Sequence, residues 1–127
     1  MLNRNQSSSM FTNIAAGVVL LLSTLNVQAE PAGAAHVTSP DYYTLLSENE
    51  HVLVLKMVLK PGDADTVHSH HNETVYFEKG GKLAISVDGK TVEVEVPDGH
   101  VMWHEAWTHQ VTNIGDTEVV AIIVEQK

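Results

Sequence analysis

Asp88-Gly89 constrains this chain more than any other feature. It separates two six-residue runs of strict alternation, with Leu83, Ile85 and Val87 on one side and Val92, Val94 and Val96 on the other. Apolar residues at every second position put one face of a strand in a core, and an Asp-Gly pair between two such runs is a strong hairpin signal. The same grammar recurs along the chain. Tyr42 to Leu46 and His51 to Lys60 flank a polar Ser47-Glu48-Asn49-Glu50, and Pro61-Gly62-Asp63 then breaks the second run. Both faces of that run are mostly apolar, which predicts a strand sandwiched between layers. Short strands are also expected at Val67 to His71, Thr74 to Glu78, Val101 to Trp103, His109 to Asn113 and Thr117 to Glu125, with turns at Gly80-Gly81, Pro97-Asp98-Gly99 and Gly115-Asp116. No apolar pattern of period 3.6 persists over ten residues after position 29. Eight or nine short strands with frequent turns make an all-β barrel or sandwich.

Residues 1–29 do not belong to this pattern. A polar start with one basic residue, Arg4, precedes the apolar run Ile14 to Leu25, which is too short to span a bilayer and ends at Val27-Gln28-Ala29. The reading is a signal peptide cleaved after Ala29, which directs the chain to the periplasm or outside the cell; a retained anchor is the alternative. Residues 30–40, rich in Pro, Gly and Ala, read as a flexible N-terminal tail that includes His36. Residues 41–127 then form one domain, since the 98 residues left by removal of 29 from 127 suffice for one core.

Those 98 residues carry six basic against sixteen acidic side chains, a formal charge of −10. Such a surface repels nucleic acid and anionic membrane and keeps the protein soluble, but names no partner. There is no cysteine, so disulfides, thiolate metal sites and cysteine nucleophiles are all excluded. Histidine is abundant instead, with eight in the chain and three of them between positions 68 and 71. His68 and His70 lie two apart, so on a strand both rings point to one face, as two ligands of one cation must. A solvated histidine cluster would look the same locally. His71 points away or into a turn. His104 reads as a rim residue or as a donor behind the ligands, and Trp103, Trp107, Tyr76, His100 and Met102 as packing or pocket wall.

Two longer segments are more specific. Pro61-Gly62, His68-Ser69-His70, Glu73 and Gly80 occur in the order of the first cupin motif. Pro97-Asp98-Gly99 followed by His109-Gln110-Val111-Thr112-Asn113 resembles the second, and 16 residues holding one hairpin join them. From Tyr42 onward the chain thus resembles a small single-domain cupin of the RmlC-like superfamily. The resemblance implies a double-stranded β-helix, a jelly-roll-like barrel. It also implies one divalent first-row metal (Fe, Mn, Ni or Zn) on His68, His70, Glu73 and His109, and a homodimer formed through edge strands. Three or four residues usually precede the glutamate, whereas here only His71 and Asn72 do. Glu73 therefore reaches the histidines' face only if the chain turns at His71-Asn72.

Three imidazoles and an oxygen suit a borderline first-row ion better than Ca²⁺ or Mg²⁺. The function expected from the resemblance is a metal-dependent dioxygenase, isomerase or lyase acting on a small chelating molecule in the barrel mouth, with Glu73 as ligand or catalytic base. The alternatives are a non-catalytic module that binds metal or a small ligand, and a purely structural ion that compensates for the missing disulfides.

Overall fold

The computed structural model describes residues 31–127; the expected signal segment, 1–29, lies outside them. Nine strands and one helical turn make up the fold: α1 (Ala35–Thr38), β1 (Tyr43–Glu48), β2 (Val52–Leu59), β3 (His68–His70), β4 (Glu73–Lys79), β5 (Gly81–Val87), β6 (Lys90–Val96), β7 (Val101–His104), β8 (Trp107–Asn113) and β9 (Val119–Gln126). They form a five-stranded sheet in the order β1-β2-β9-β4-β7 and a four-stranded sheet in the order β3-β8-β5-β6, with every pair antiparallel. Among the described residues no helix is long and apolar enough to cross a membrane.

The core lies between the sheets. Leu53, Leu55, Met57 and Leu59 of β2 share the inner face of their sheet with Val75 and Phe77 of β4 and Ala121 and Ile123 of β9, and pack against Leu83 and Val111 of the other sheet. Turn chemistry closes the strands as the sequence predicts. Asp88 and Gly89 both take positive φ (49° and 75°), so the β5–β6 hairpin closes as a type I′ turn. Gly62, at φ 86°, follows Pro61 in a turn closed by Asp63 N–H donating to the Lys60 carbonyl at 2.9 Å. Gly80 is a glycine for a different reason: a Cβ there would sit 1.9 Å from the Val96 carbonyl oxygen. That contact brings the start of β5 against the end of β6, and the Gly80 N–H donates to Asp98 Oδ1 at 2.7 Å.

Three expectations change. Residues 34–39, read as part of a flexible tail, are packed. Ala35 is fully buried, Ala34 bridges to Ser69, and Ser69 N–H donates to the Gly33 carbonyl, so this segment covers the free edge of β3. Its small side chains, which suggested flexibility, are what allow so close an approach. β2 is not sandwiched, because its outward Val52, Val54 and Val58 are half-buried with no second layer of this chain over them. The apolar face of the β5–β6 hairpin likewise reaches past the core: Leu83 is buried, Ile85, Val87 and Val94 are half-buried, and Val92 is 60% exposed.

Candidate metal centre

Strand register assembles the site. β3 pairs with β8 so that His68 lies directly opposite His109 and His70 opposite Trp107. Directly opposed residues share a face, and His70 is two along from His68, so all three histidines enter the barrel interior. Their exposures are 0%, 5% and 5%. Ring centres lie 4.7 Å apart for His68–His70 and His68–His109, and 5.1 Å apart for His70–His109. One nitrogen from each ring falls within 4.8 Å of the other two.

Hydrogen bonds behind the rings fix their tautomers. His68 Nδ1 lies 2.8 Å from the Thr66 carbonyl, which can only accept, so Nδ1 carries the proton. His70 Nδ1 lies 2.6 Å from Glu125 Oε1, whose partner oxygen accepts from the His71 N–H at 3.0 Å. Burial alone would raise the Glu125 carboxyl, but these two donors outweigh it and hold Glu125 below the usual carboxylate range. Glu125 is therefore ionised and accepts from His70. Both Nε2 atoms are left as bare lone pairs, facing each other at 2.9 Å. Two nitrogens bound to one ion at roughly 2.0–2.2 Å sit roughly 2.9–3.5 Å apart in octahedral or tetrahedral geometry. A cation between them removes the lone-pair repulsion, and these residues fit one.

Two of the imidazoles, those of His68 and His109, are also kept neutral, as ligands must be. Burial pushes His68 down to about 4, although the Thr66 carbonyl works against it; burial and then the neighbouring His68 and His70 push His109 down to about 2. His109 Nδ1 is buried without a hydrogen-bond partner.

Glu73 reaches the site because the chain does turn after His70. β3 ends there, His71 and Asn72 are exposed, and β4 begins at Glu73, which is 2% exposed. Glu73 accepts from Trp107 Nε1 at 2.6 Å through Oε1, while Oε2, 3.3 Å from His70 Nδ1, has no hydrogen-bond partner. Its nearest potential ligand neighbours are His70 and Glu125 rather than the three-histidine set. Glu73 and Glu125 are directly paired across β4 and β9, an arrangement that like charges disfavour. Burial raises the Glu73 carboxyl, opposed in part by His70 and by the Trp107 hydrogen bond. No lysine or arginine is among these buried groups, so the negative charge of the acids is a further reason the site suits a cation.

Asp65 anchors the other side. It is 2% exposed, accepts from Tyr43 Oη and the Val111 N–H at 2.7 Å each, and lies 3.6 Å from His68 Nδ1. Burial pushes its carboxyl up to about 6 against those two hydrogen bonds. The sequence reading missed both Asp65 and Glu125. Glu125 had a signal: it continues the inward series Val119, Ala121, Ile123 on β9. Asp65 follows a turn and precedes β3, where no periodicity marks it.

The other singled-out residues fall around the centre. His104 is half-buried and stacks on Trp107 at 3.7 Å, while Trp107 meets His109 edge-on at 3.8 Å. Met102 lines the inner cavity. Tyr76 and Trp103 are not wall; they project from the outer face, 45% and 56% exposed, and His100 is exposed too. Asn113 serves the fold, its amide donating to the Leu59 and Thr117 carbonyls at 2.8 Å each.

No family model matches the sequence, and no curated protein does so either. Solved structures do. A cupin domain from Bordetella pertussis Tohama I is similar at 25% identity and TM-score 0.63, over 79% of this chain and 99% of that one. A cupin-like protein from Thermotoga maritima is similar at 22% identity and TM-score 0.54 (77% and 80%), and an RmlC-like cupin family protein with a double-stranded β-helix fold from Methanocaldococcus jannaschii at 16% and 0.56 (66% and 77%). The chain has the fold of a small cupin domain. Its all-β double-stranded β-helix is the one the two sequence motifs imply, and this cupin carries a buried His/Glu group that could hold a metal ion.

Two outcomes follow from this geometry. Glu125→Leu leaves His70 Nδ1 without its acceptor, and Zn²⁺ affinity measured by competition with a chromophoric chelator should fall about 10- to 100-fold. In the metal-stripped protein, His68 and His109 have folded values below the unfolded value of about 6.5, so their contribution is present above that pH and lost as pH falls toward about 4. Asp65 and Glu73, shifted the opposite way, contribute in the reverse sense, Asp65 from about 6 downward, whereas the lowered Glu125 acts with the two histidines, whose larger shifts outweigh the opposing pair. Urea unfolding of the stripped cupin should therefore show stability decreasing between about pH 6.5 and 4.

Proposed function

We propose that this cupin is an exported metal-binding protein, most simply a small metal-dependent enzyme of dioxygenase, isomerase or lyase type acting on a small chelating molecule. The observation that carries the metal reading is the pair of facing Nε2 lone pairs on His68 and His70, with His109 beside them. Export is supported by the sequence of residues 1–29.

His68, His70 and His109 would hold one first-row ion, which when bound supplies Lewis acidity toward chelating oxygens or dioxygen. Glu125 and the Thr66 carbonyl keep the imidazole protons on Nδ1. Glu73 Oε2, buried and unpartnered, would take a proton from a bound ligand or complete the ligand set. Trp107, Met57 and Met102 line the cavity beside it and keep water away. A non-catalytic binder of metal or small ligands uses the same residues up to the proton transfer. Dioxygen uptake or substrate turnover by the Fe- or Mn-loaded protein separates the two.

Elemental analysis should find about one first-row ion per chain in the wild type, and none in a His68→Ala, His109→Ala double variant whose circular dichroism is retained. A metal-free wild type, after purification and incubation with Zn²⁺, contradicts the metal reading.

We also propose a homodimer, now through the outer face of the five-stranded sheet rather than its edges. Register lines up Val54, Val124, Thr74 and Trp103 in one row and Lys56, Ile122, Tyr76 and Val101 in the next. On a domain of formal charge −10, this face carries the single pair Lys56–Glu78, at 4.0 Å. Two acidic copies would meet with least repulsion there. Light scattering should give a dimer for the wild type and a monomer for Trp103→Glu.

A further inference from the structure

The metal centre opens into two connected spaces of different character. The inner cavity between the sheets measures about 50 Å³ and is lined by His70 and His109 from one sheet and by Glu73, Met57, Phe77 and Met102 from the other. Outside it, over the inward face of the β5–β6 hairpin, runs a groove of about 390 Å³ walled by Ile85, Val87, Val92 and Val94. Ile85 and Trp107 belong to the walls of both, so the two spaces meet at those side chains. The groove lies over an apolar face of the hairpin that this chain's own core does not cover.

Trp107 is built to stand at that junction. Its indole is fixed at three places, by the hydrogen bond to Glu73, by the stack on His104 and by the edge contact with His109. Trp107 thus touches a metal-ligand candidate, His109, and also lines the groove. At the far end of the groove Asp88 and Lys90 carry opposite charges, so the groove has no net charge on a strongly acidic domain. An apolar, uncharged channel that leads away from a polar, cation-binding one matches a molecule with the same division.

Resting on the metal reading above, we infer that the ligand of this centre is amphiphilic. Its chelating oxygen head sits at His68, His70 and His109, and its neutral apolar tail lies past Trp107 on Ile85, Val87, Val92 and Val94. A small hydrophilic acid would leave those four side chains in water. An aliphatic or aromatic tail of about four to six carbons covers them, at about three- to fourfold in affinity per buried methylene.

The test uses the purified protein loaded with Zn²⁺, its metal content measured, and titrated calorimetrically with acetohydroxamate, butanohydroxamate and hexanohydroxamate. The head is constant and only the tail grows. The dissociation constant should fall about threefold per methylene, and Val92→Glu, at a position 60% exposed, should abolish that gradient while leaving acetohydroxamate affinity and metal content unchanged. A loaded protein that binds all three equally overturns the inference and leaves the metal reading standing. A gradient that Val92→Glu does not alter also overturns it, since the tail then lies elsewhere. A wild type that takes up no metal overturns the metal reading and the inference with it.

Discussion

Two buried carboxylates face each other across adjacent strands, Glu73 on β4 and Glu125 on β9, with one imidazole between them. Like charges placed directly opposite in a dry interior are costly, and among the described residues no lysine or arginine is buried to offset them. The chain resolves the conflict through His70. Its Nδ1–H satisfies Glu125 and stands 3.3 Å from Glu73, and that commitment turns its Nε2 lone pair onto the one from His68. Each accommodation moves the excess of electron pairs inward by one shell until it reaches a point that could hold a cation.

The rest of the barrel is arranged to hold that point still. Asp65 ties Tyr43 on β1 to the backbone of β8, and Asn113 ties the end of β8 to the end of β2 and to the turn before β9. These buried side-chain bonds reinforce the few backbone bonds that the segment Gly62 to Asp65 exchanges with β8. With no disulfide available, they fix the relative position of β3, β8 and β2, and thereby the spacing of the three rings.

Much of the architecture was legible because strand alternation and turn residues act locally. The Asp88-Gly89 hairpin, the Pro61-Gly62 turn and nearly every strand emerged within a residue or two of the positions expected. The three histidines were legible because residues two apart share a strand face and the second motif supplied His109. Glu73 was ambiguous for a physical reason: three residues from His70 reverses the face on an unbroken strand, and only the bend at His71-Asn72 restores it. Asp65 was silent because burial of a loop carboxylate depends on partners 22 and 46 residues away.

By itself, then, the sequence determined an all-β chain of alternating strands, the turns between them, the pairing of His68 with His70 on one face, and the lack of any thiol. Tertiary structure alone decided which nitrogen of each ring is free, that Glu125 stands behind His70, that Trp107 divides an inner cavity from an outer groove, and which apolar faces remain uncovered. The division follows from range. Periodicity and turn preference are properties of a few neighbouring residues, whereas a tautomer, a buried charge or an open groove exists only once register has brought distant strands together.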